Sequence, residues 1–427
     1  MEKRINGLCD FLNASHSSFH AVAYLENLLK QEGYQKLAEN ETWQLKPGGK
    51  YYLTRSGTAL LAFRIPAEAP AGILLSASHS DHPCFKLKEN PELSGTYTRL
   101  AVERYGGQLL FTWPDRPLSL AGRVMVETEN GIESRLIDID RDLMLIPNVA
   151  IHMNRQVNDG YKWNPAVDML PLLGGKDAKG KLDALLEEAA DGRILGHDLF
   201  LYVRDKARIW GVDNEFISAT ALDDLECAWG CTQGFLKAAE SRSLPVLCVF
   251  DNEEVGSGSR QGACSTLLID TLDRICESRN LNLKQMLSQS FMVSADNAHA
   301  VHPNHPEYAD AGNAPVMGGG VVLKFNASQR YTTDGISAAI FRSVCAKAEV
   351  NVQTYYNRAD MPGGSTLGHI SLTHVSVPTA DIGLPQLAMH SCYETAAVAD
   401  ALALEEAMAA FYGKSLLVSA DGEYTLG

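Results

Sequence analysis

The chain has 427 residues, 45% hydrophobic and 21% charged, which is the balance of a globular protein and too long for a single hydrophobic core. Its 37 basic and 52 acidic side chains leave a formal charge of −15, which argues against nucleic acid or an anionic membrane as a partner. The opening "MEKRINGLCDFLNASHSSFH" lacks the apolar centre of a secretory signal, no run is long enough to span a membrane, and the nine scattered cysteines predict reduced thiols in a cytoplasmic protein.

Taken in chain order, residues 1–91 predict an amphipathic helix over Phe19–Gln31, then turn-punctuated strands in "KPGGKYYLTRSGTALLAFRI" and a short apolar strand in "AGILLSAS". Residues 92–208 change texture. "TYTRLAVERYGGQLLFTW" and "LAGRVMVETENGIESRL" are strand-length and turn-bounded, so this stretch reads as a β-rich insert with one short helix, "KLDALLEEAA". From residue 209, strand-like runs ("PVLCVF", "FMVSA", "GGVVLKF") alternate with helical ones ("CAWGCTQGFLKAAE", "TLLIDTLDRICES", "ETAAVADALALEEAMAAF"). That alternation predicts an α/β domain with a mainly parallel sheet, completed by residues 1–91 and interrupted by 92–208.

Four apolar runs end directly in side chains able to bind a metal: "GILLSASHSDHP" in His79 and Asp81, "PVLCVFDNEE" in Glu253 and Glu254, "FMVSAD" in Asp296, and "GLPQLAMHS" in His390. The last precedes a helix expected to be capped by Ser391 or Thr395, and "TALDDLECAW" adds Asp223 and Asp224 at a helix start. Each element alone has a plainer reading, as a loop histidine, a solvated acid pair or acids that complement a helix dipole. Together they point to the crevice outside the carboxyl ends of parallel strands, where α/β sheets bind ligands. Two histidines with several carboxylates suit zinc, with manganese or cobalt as alternatives, better than calcium or magnesium. If "DNEE" is extended, Glu253 and Glu254 point to opposite sides, one towards a metal and the other towards water as a base. His79 and Asp81 then share a side, so Asp81 can orient the far ring nitrogen of His79.

In order, "SHSDHPCFKLK", "ALDDL", "FDNEEVGS", "SADNAHAVHPN", "KFNASQRY", "GGSTLG" and "PQLAMHS" resemble the signature blocks of the aspartyl aminopeptidase and vacuolar aminopeptidase I family. The resemblance runs end to end and includes "IPNVAIHMNR" in the insert. It implies a dimetal exopeptidase that removes N-terminal residues from peptides, with an α/β/α metallopeptidase domain, an inserted dimerisation domain and assembly into a tetrahedral dodecamer. His79, Glu254, Asp296 and His390 become ligands, Asp223 the bridge between two divalent ions, Asp81 the orienter of His79 and Glu253 the general base. Asp224 stands where relatives usually have asparagine, and His82 where they often carry a small residue, so His82 is either a polar group at the rim or a surface histidine. Lys324 and Tyr331 match positions facing the substrate side chain, and a lysine there favours an acidic first residue; a lysine at a strand edge is the alternative. His152 would reach a neighbouring subunit's site, or else serve only the dimer interface. His299, His302 and His305 read as shell or loop residues, and "MPGGSTLG" as a glycine turn near substrate. A related dimetal amidohydrolase (a carboxypeptidase or deacylase) and a non-catalytic shell protein are the competing functions.

Overall fold

The computed structural model describes residues 2–364 and 366–427. Its largest sheet has nine strands, in spatial order Gln35–Lys36, Lys50–Arg55, Ala59–Arg64, Leu244–Phe250, Ile73–His79, Phe291–Ala295, Thr379–Gly383, Val321–Phe325 and Val352–Tyr356. The four strands from Leu244–Phe250 to Thr379–Gly383 run parallel and are buried at every residue, which is why the sequence writes them as continuous apolar runs. Their side chains alternate between two cores. Leu247, Val249, Val293 and Ala295 face one side, packed with the helices Ser18–Gln31, Leu222–Lys237, Gly335–Lys347 and Val398–Tyr412. Val246, Cys248, Phe250 and Met292 face the other, under the helix Leu267–Arg279. The expected α/β/α layering with a mainly parallel sheet is present.

Register decides where the chemistry falls. Phe250 pairs with His79 and Ser294 with Ala77, so "HSD", "DNEE" and Asp296 leave the same edge of the sheet side by side. The helix Leu222–Lys237 reaches that edge because it packs closely on Val398–Tyr412. A Cβ on Gly230 would stand 2.6 Å from the Leu404 side chain, and one on Gly234 2.4 Å from Met408, so larger residues there would push the helices apart.

A six-stranded antiparallel sheet follows His79 almost at once. Its order is Gly131–Asp138, Leu118–Thr128, Ile194–Val203, Cys84–Leu93, Tyr97–Tyr105 and Leu172–Gly175. Phe85, Leu100, Leu120, Leu199 and Leu201 form its own core, closed by Leu182 and Leu186 of the helix Lys181–Ala190. Its first strand starts at Cys84, ahead of the texture change at residue 92.

Other elements depart from the sequence reading. A helix, Glu2–Ala14, precedes the expected one. The run "ETAAVADALALEEAMAAF" is not helical throughout: Glu394–Ala397 is a strand paired with Phe216–Ala219, and the helix begins at Val398. Neither Ser391 nor Thr395 caps it. Thr395 Oγ1 lies 2.8 Å from Ser218 Oγ, and Ser391 Oγ accepts from the Tyr393 amide. Among the described residues, no helix is long and apolar enough to cross a membrane.

Candidate metal centre

His79 ends its strand with 1% of its surface exposed. Its Nδ1 lies 3.0 Å from the Asp81 carbonyl oxygen and 3.4 Å from Oδ1 of the same residue. A carbonyl can only accept, so Nδ1 carries the proton and Nε2 is left as a ligand atom, 3.7 Å from Asp223 Oδ1. His390 repeats the device. Its Nδ1 donates to the Gly107 carbonyl at 3.3 Å, and its Nε2 faces Asp223 Oδ2 at 3.3 Å and Glu254 Oε2 at 3.4 Å.

Among the described residues, three sets of potential ligand atoms lie within 4.8 Å of one another: His79, Asp223, Asp224 and Asp296; His79, Glu253 and Glu254; and Asp223, Glu254 and His390. Asp223 belongs to the first and third, with one carboxylate oxygen towards each histidine. Asp224 belongs only to the first, and its Oδ2 accepts the His79 amide at 3.0 Å.

Glu253 and Glu254 are not extended. The strand stops at Phe250, Asn252 takes a left-handed conformation (φ 61°), and Glu253–Val255 forms a single 3₁₀ turn. Strand alternation therefore does not separate the two carboxylates, and both come close to His79. The difference between them is that Glu254 alone also meets His390 and Asp223. Asp81 sets this turn: its carboxylate accepts the Glu253 amide at 3.1 Å, the Glu254 amide at 3.2 Å and the Tyr105 hydroxyl at 2.7 Å.

The donor set fits a divalent cation. Asp223 Oδ1, Asp224 Oδ1 and Glu254 Oε1 are buried with no hydrogen-bond partner, an arrangement proteins rarely leave uncompensated. Without a cation, burial pushes Glu253 up to about 8, with His79 pulling against it and the Asp296, Asp81 and Asp223 charges adding to it, while burial pushes Asp296 up to about 6, although the Lys324 charge pulls against it. Burial opposes protonation of His390, but the hydrogen bond and charge of Asp223 raise it to about 9. Cations would take the place of these protons and hold the acids ionised.

A cavity of about 210 Å³ opens beside the cluster, lined also by Lys324, Tyr331, His299 and Thr366. Lys324 is 2% exposed and lies on an interior strand, which excludes the strand-edge alternative. Its Nζ donates to the carbonyls of Asp296 (2.7 Å) and Asn297 (3.3 Å) and stands 3.8 Å from Asp296 Oδ2. The Tyr331 ring centre is 5.1 Å from it. His302 and His305 stack loosely on each other in an exposed turn. His82 is half-buried: burial lowers it to about 4, and its buried Nδ1 has no partner among the described residues. His152 occupies an exposed turn and does not line this cavity.

Two supporting residues were not anticipated. Tyr105 lies in a predicted strand, and Glu394 in a stretch predicted as helix. The Glu394 carboxylate accepts the Asp223 amide at 3.0 Å through Oε2 and the His390 amide at 2.7 Å through Oε1. The signal available for Glu394 was its place four residues after His390, which the helical reading turned into an ordinary spacing.

Residues 11–412 match the model of the family described as aminopeptidase I zinc metalloprotease (M18). The chain belongs to that family. A probable M18 family aminopeptidase 2 from Clostridium novyi is 43% identical over 414 residues, covering 93% of this chain and 96% of the relative. Among solved structures, the Ape4 and Nbr1 complex matches with a TM-score of 0.93 at 34% identity, over 96% of this chain and 86% of that one. A dodecamer of mApe1 from S. cerevisiae matches with a TM-score of 0.85 at 25% identity, over 95% of both chains. This M18 chain is thus a zinc metallo-aminopeptidase, and the carboxypeptidase, deacylase and non-catalytic shell readings fall away.

Proposed function

We propose that the chain hydrolyses the N-terminal residue from peptides at a dimetal centre in which His79, Asp223 and Asp296 hold one ion and Asp223, Glu254 and His390 the other. The observation that supports this most directly is the pair of ligand groups meeting at Asp223. Zinc, with cobalt or manganese as alternatives, would supply Lewis-acid activation of water and of the peptide carbonyl. Glu253 is the general base. It lies outside the His390 group, lines the cavity, takes a proton from the attacking water and returns it to the departing amine nitrogen. Asp81 fixes the His79 tautomer and the Glu253–Glu254 turn. Acids around the cavity favour a free substrate α-amine, which limits cleavage to N-termini. Lys324 and Tyr331 form the subsite for the first side chain, and the buried ammonium favours Asp or Glu there through its field, since its hydrogen bonds already go to backbone carbonyls.

The six-stranded region, expected over residues 92–208 and inserted between 1–91 and 209–427, is proposed as a dimerisation domain. Its exposed Val149, Ile151 and Met153 supply an apolar surface beside His152, which would reach a neighbouring subunit's site. The dodecameric relative supports a homo-oligomer, proposed as a tetrahedral dodecamer of dimers in the cytoplasm. The test is turnover of peptides that differ only in their first residue, each free or N-acetylated. Free peptides should be cleaved and acetylated ones refused. EDTA should abolish activity, and zinc, cobalt or manganese should restore it. Equal cleavage of the acetylated series would refute the reading.

A further inference from the structure

Glu394 is 1% exposed and neutralised by no lysine or arginine, yet it holds the backbone amides of two residues that lie far apart in the chain. Both amides need an acceptor. Asp223 and Asp224 are non-helical residues at the kinked start of Leu222–Lys237, so no regular turn offers the Asp223 N–H a carbonyl. His390 sits at φ 67°, a conformation sparsely populated by residues bearing a side chain, and Ala388 two residues earlier is also left-handed at φ 58°. The side chains of these two residues converge, His390 Nε2 standing 3.3 Å from Asp223 Oδ2. Glu394 itself is fixed by the pairing of its strand, Glu394 opposite Ala219.

The other ligands show what this contact is for. Asp81 holds the amides of Glu253 and Glu254, and Asp224 holds that of His79. Asp296 alone uses a sheet carbonyl, its amide donating to Ile382 O at 3.1 Å. The other four, His79, Asp223, Glu254 and His390, each have their amide held by a buried carboxylate.

We propose that Glu394 is a positioning residue which, by bridging the amides of Asp223 and His390, sets the separation of those two ligands and hence the affinity of the Asp223–Glu254–His390 site. The inference rests on the dimetal reading given above. Glu394→Gln keeps the shape but turns an NH₂ group towards one of the two amides, so one of them loses its acceptor. Glu394→Asp keeps the charge and shortens the reach.

The experiment titrates zinc, against a competing chelator, into the full-length protein stripped of metal, and follows cobalt absorption in parallel. In either folded variant, one of two ions should bind about 10–100-fold more weakly, the range typical of lost partners behind metal ligands. The other ion, which shares only Asp223 with this site, should be weakened less, the cobalt spectrum should change mainly in the part that belongs to the weakened ion, and the metal-free melting temperature should fall by no more than the few degrees that one unpaired buried amide costs. Wild-type affinity for both ions in a folded variant would overturn the proposal. So would equal weakening of both ions with a larger fall in the metal-free melting temperature, or failure of both variants to fold. Uptake of fewer than two ions by the wild type would remove the dimetal reading itself, and that is seen before any variant is made.

Discussion

In the six-stranded sheet, Asp198 lies between Lys86 and Arg123, 2.7 and 2.6 Å from their nitrogens. Burial acts to raise its carboxyl, and the hydrogen bonds from the two cations bring it below the ordinary range. At the carboxyl edge of the nine-stranded sheet, Glu253, Glu254 and Asp296 are more deeply buried and are pushed upward instead. Lys324 supplies one positive charge to that edge, already committed to the backbone of Asp296 and Asn297. One region carries the cations its acid needs in its own sequence. The other gathers more buried acids than Lys324, His79 and His390 can neutralise, and that contrast separates a structural ion-pair network from a candidate binding site when both show buried carboxylates.

The sharpest way to break this contrast is at Glu253. Glu253→Gln should lower kcat by about 10²–10⁴-fold, the usual worth of a general base, with metal content by elemental analysis unchanged. Near-normal turnover would show that the division between Glu253 and Glu254 is misassigned. A smaller effect is expected at the edge's own cation: Lys324→Leu should reduce the Asp-over-Leu preference of kcat/KM about tenfold, or about 1.4 kcal/mol. An unchanged ratio would remove Lys324 from selectivity.

The smallest effect belongs to the self-neutralised acid. Asp198→Asn should cost about 1 kcal/mol in urea unfolding at neutral pH, because the trio is partly exposed and screened, and should leave turnover at the wild-type value. The folded carboxyl titrates below its unfolded value of about 3.9, so this stability is present above that pH and is lost as the pH falls through the folded value. Variant and wild type should therefore converge on acidification. A persistent gap at low pH would assign the contribution to packing.

The strands that carry the site were legible because burial on both faces leaves an unbroken apolar run, and an acid or histidine directly after such a run stands out. What followed Phe250 was not. The conformation of "DNEE" depends on Asn252 and on Asp81, which lies 172 residues before Glu253 and accepts its amide, so strand periodicity had no hold on it. Glu394–Ala397 was lost for a related reason. An alanine-rich run has helical preference, and pairing with Phe216–Ala219 overrides it. Tyr105 sits in a strand read correctly as a strand, but its hydroxyl matters only through Asp81, a contact made across the two sheets.

The proposed ligands come from His79, Asp223, Glu254, Asp296 and His390, and the helix that carries Asp223 packs against Val398–Tyr412. A ribosome-bound chain therefore has no complete ligand set until His390 has emerged, and no support for Asp223 until Tyr412 follows. Because domains fold as units, the order of synthesis leaves a half-made chain without the proposed centre.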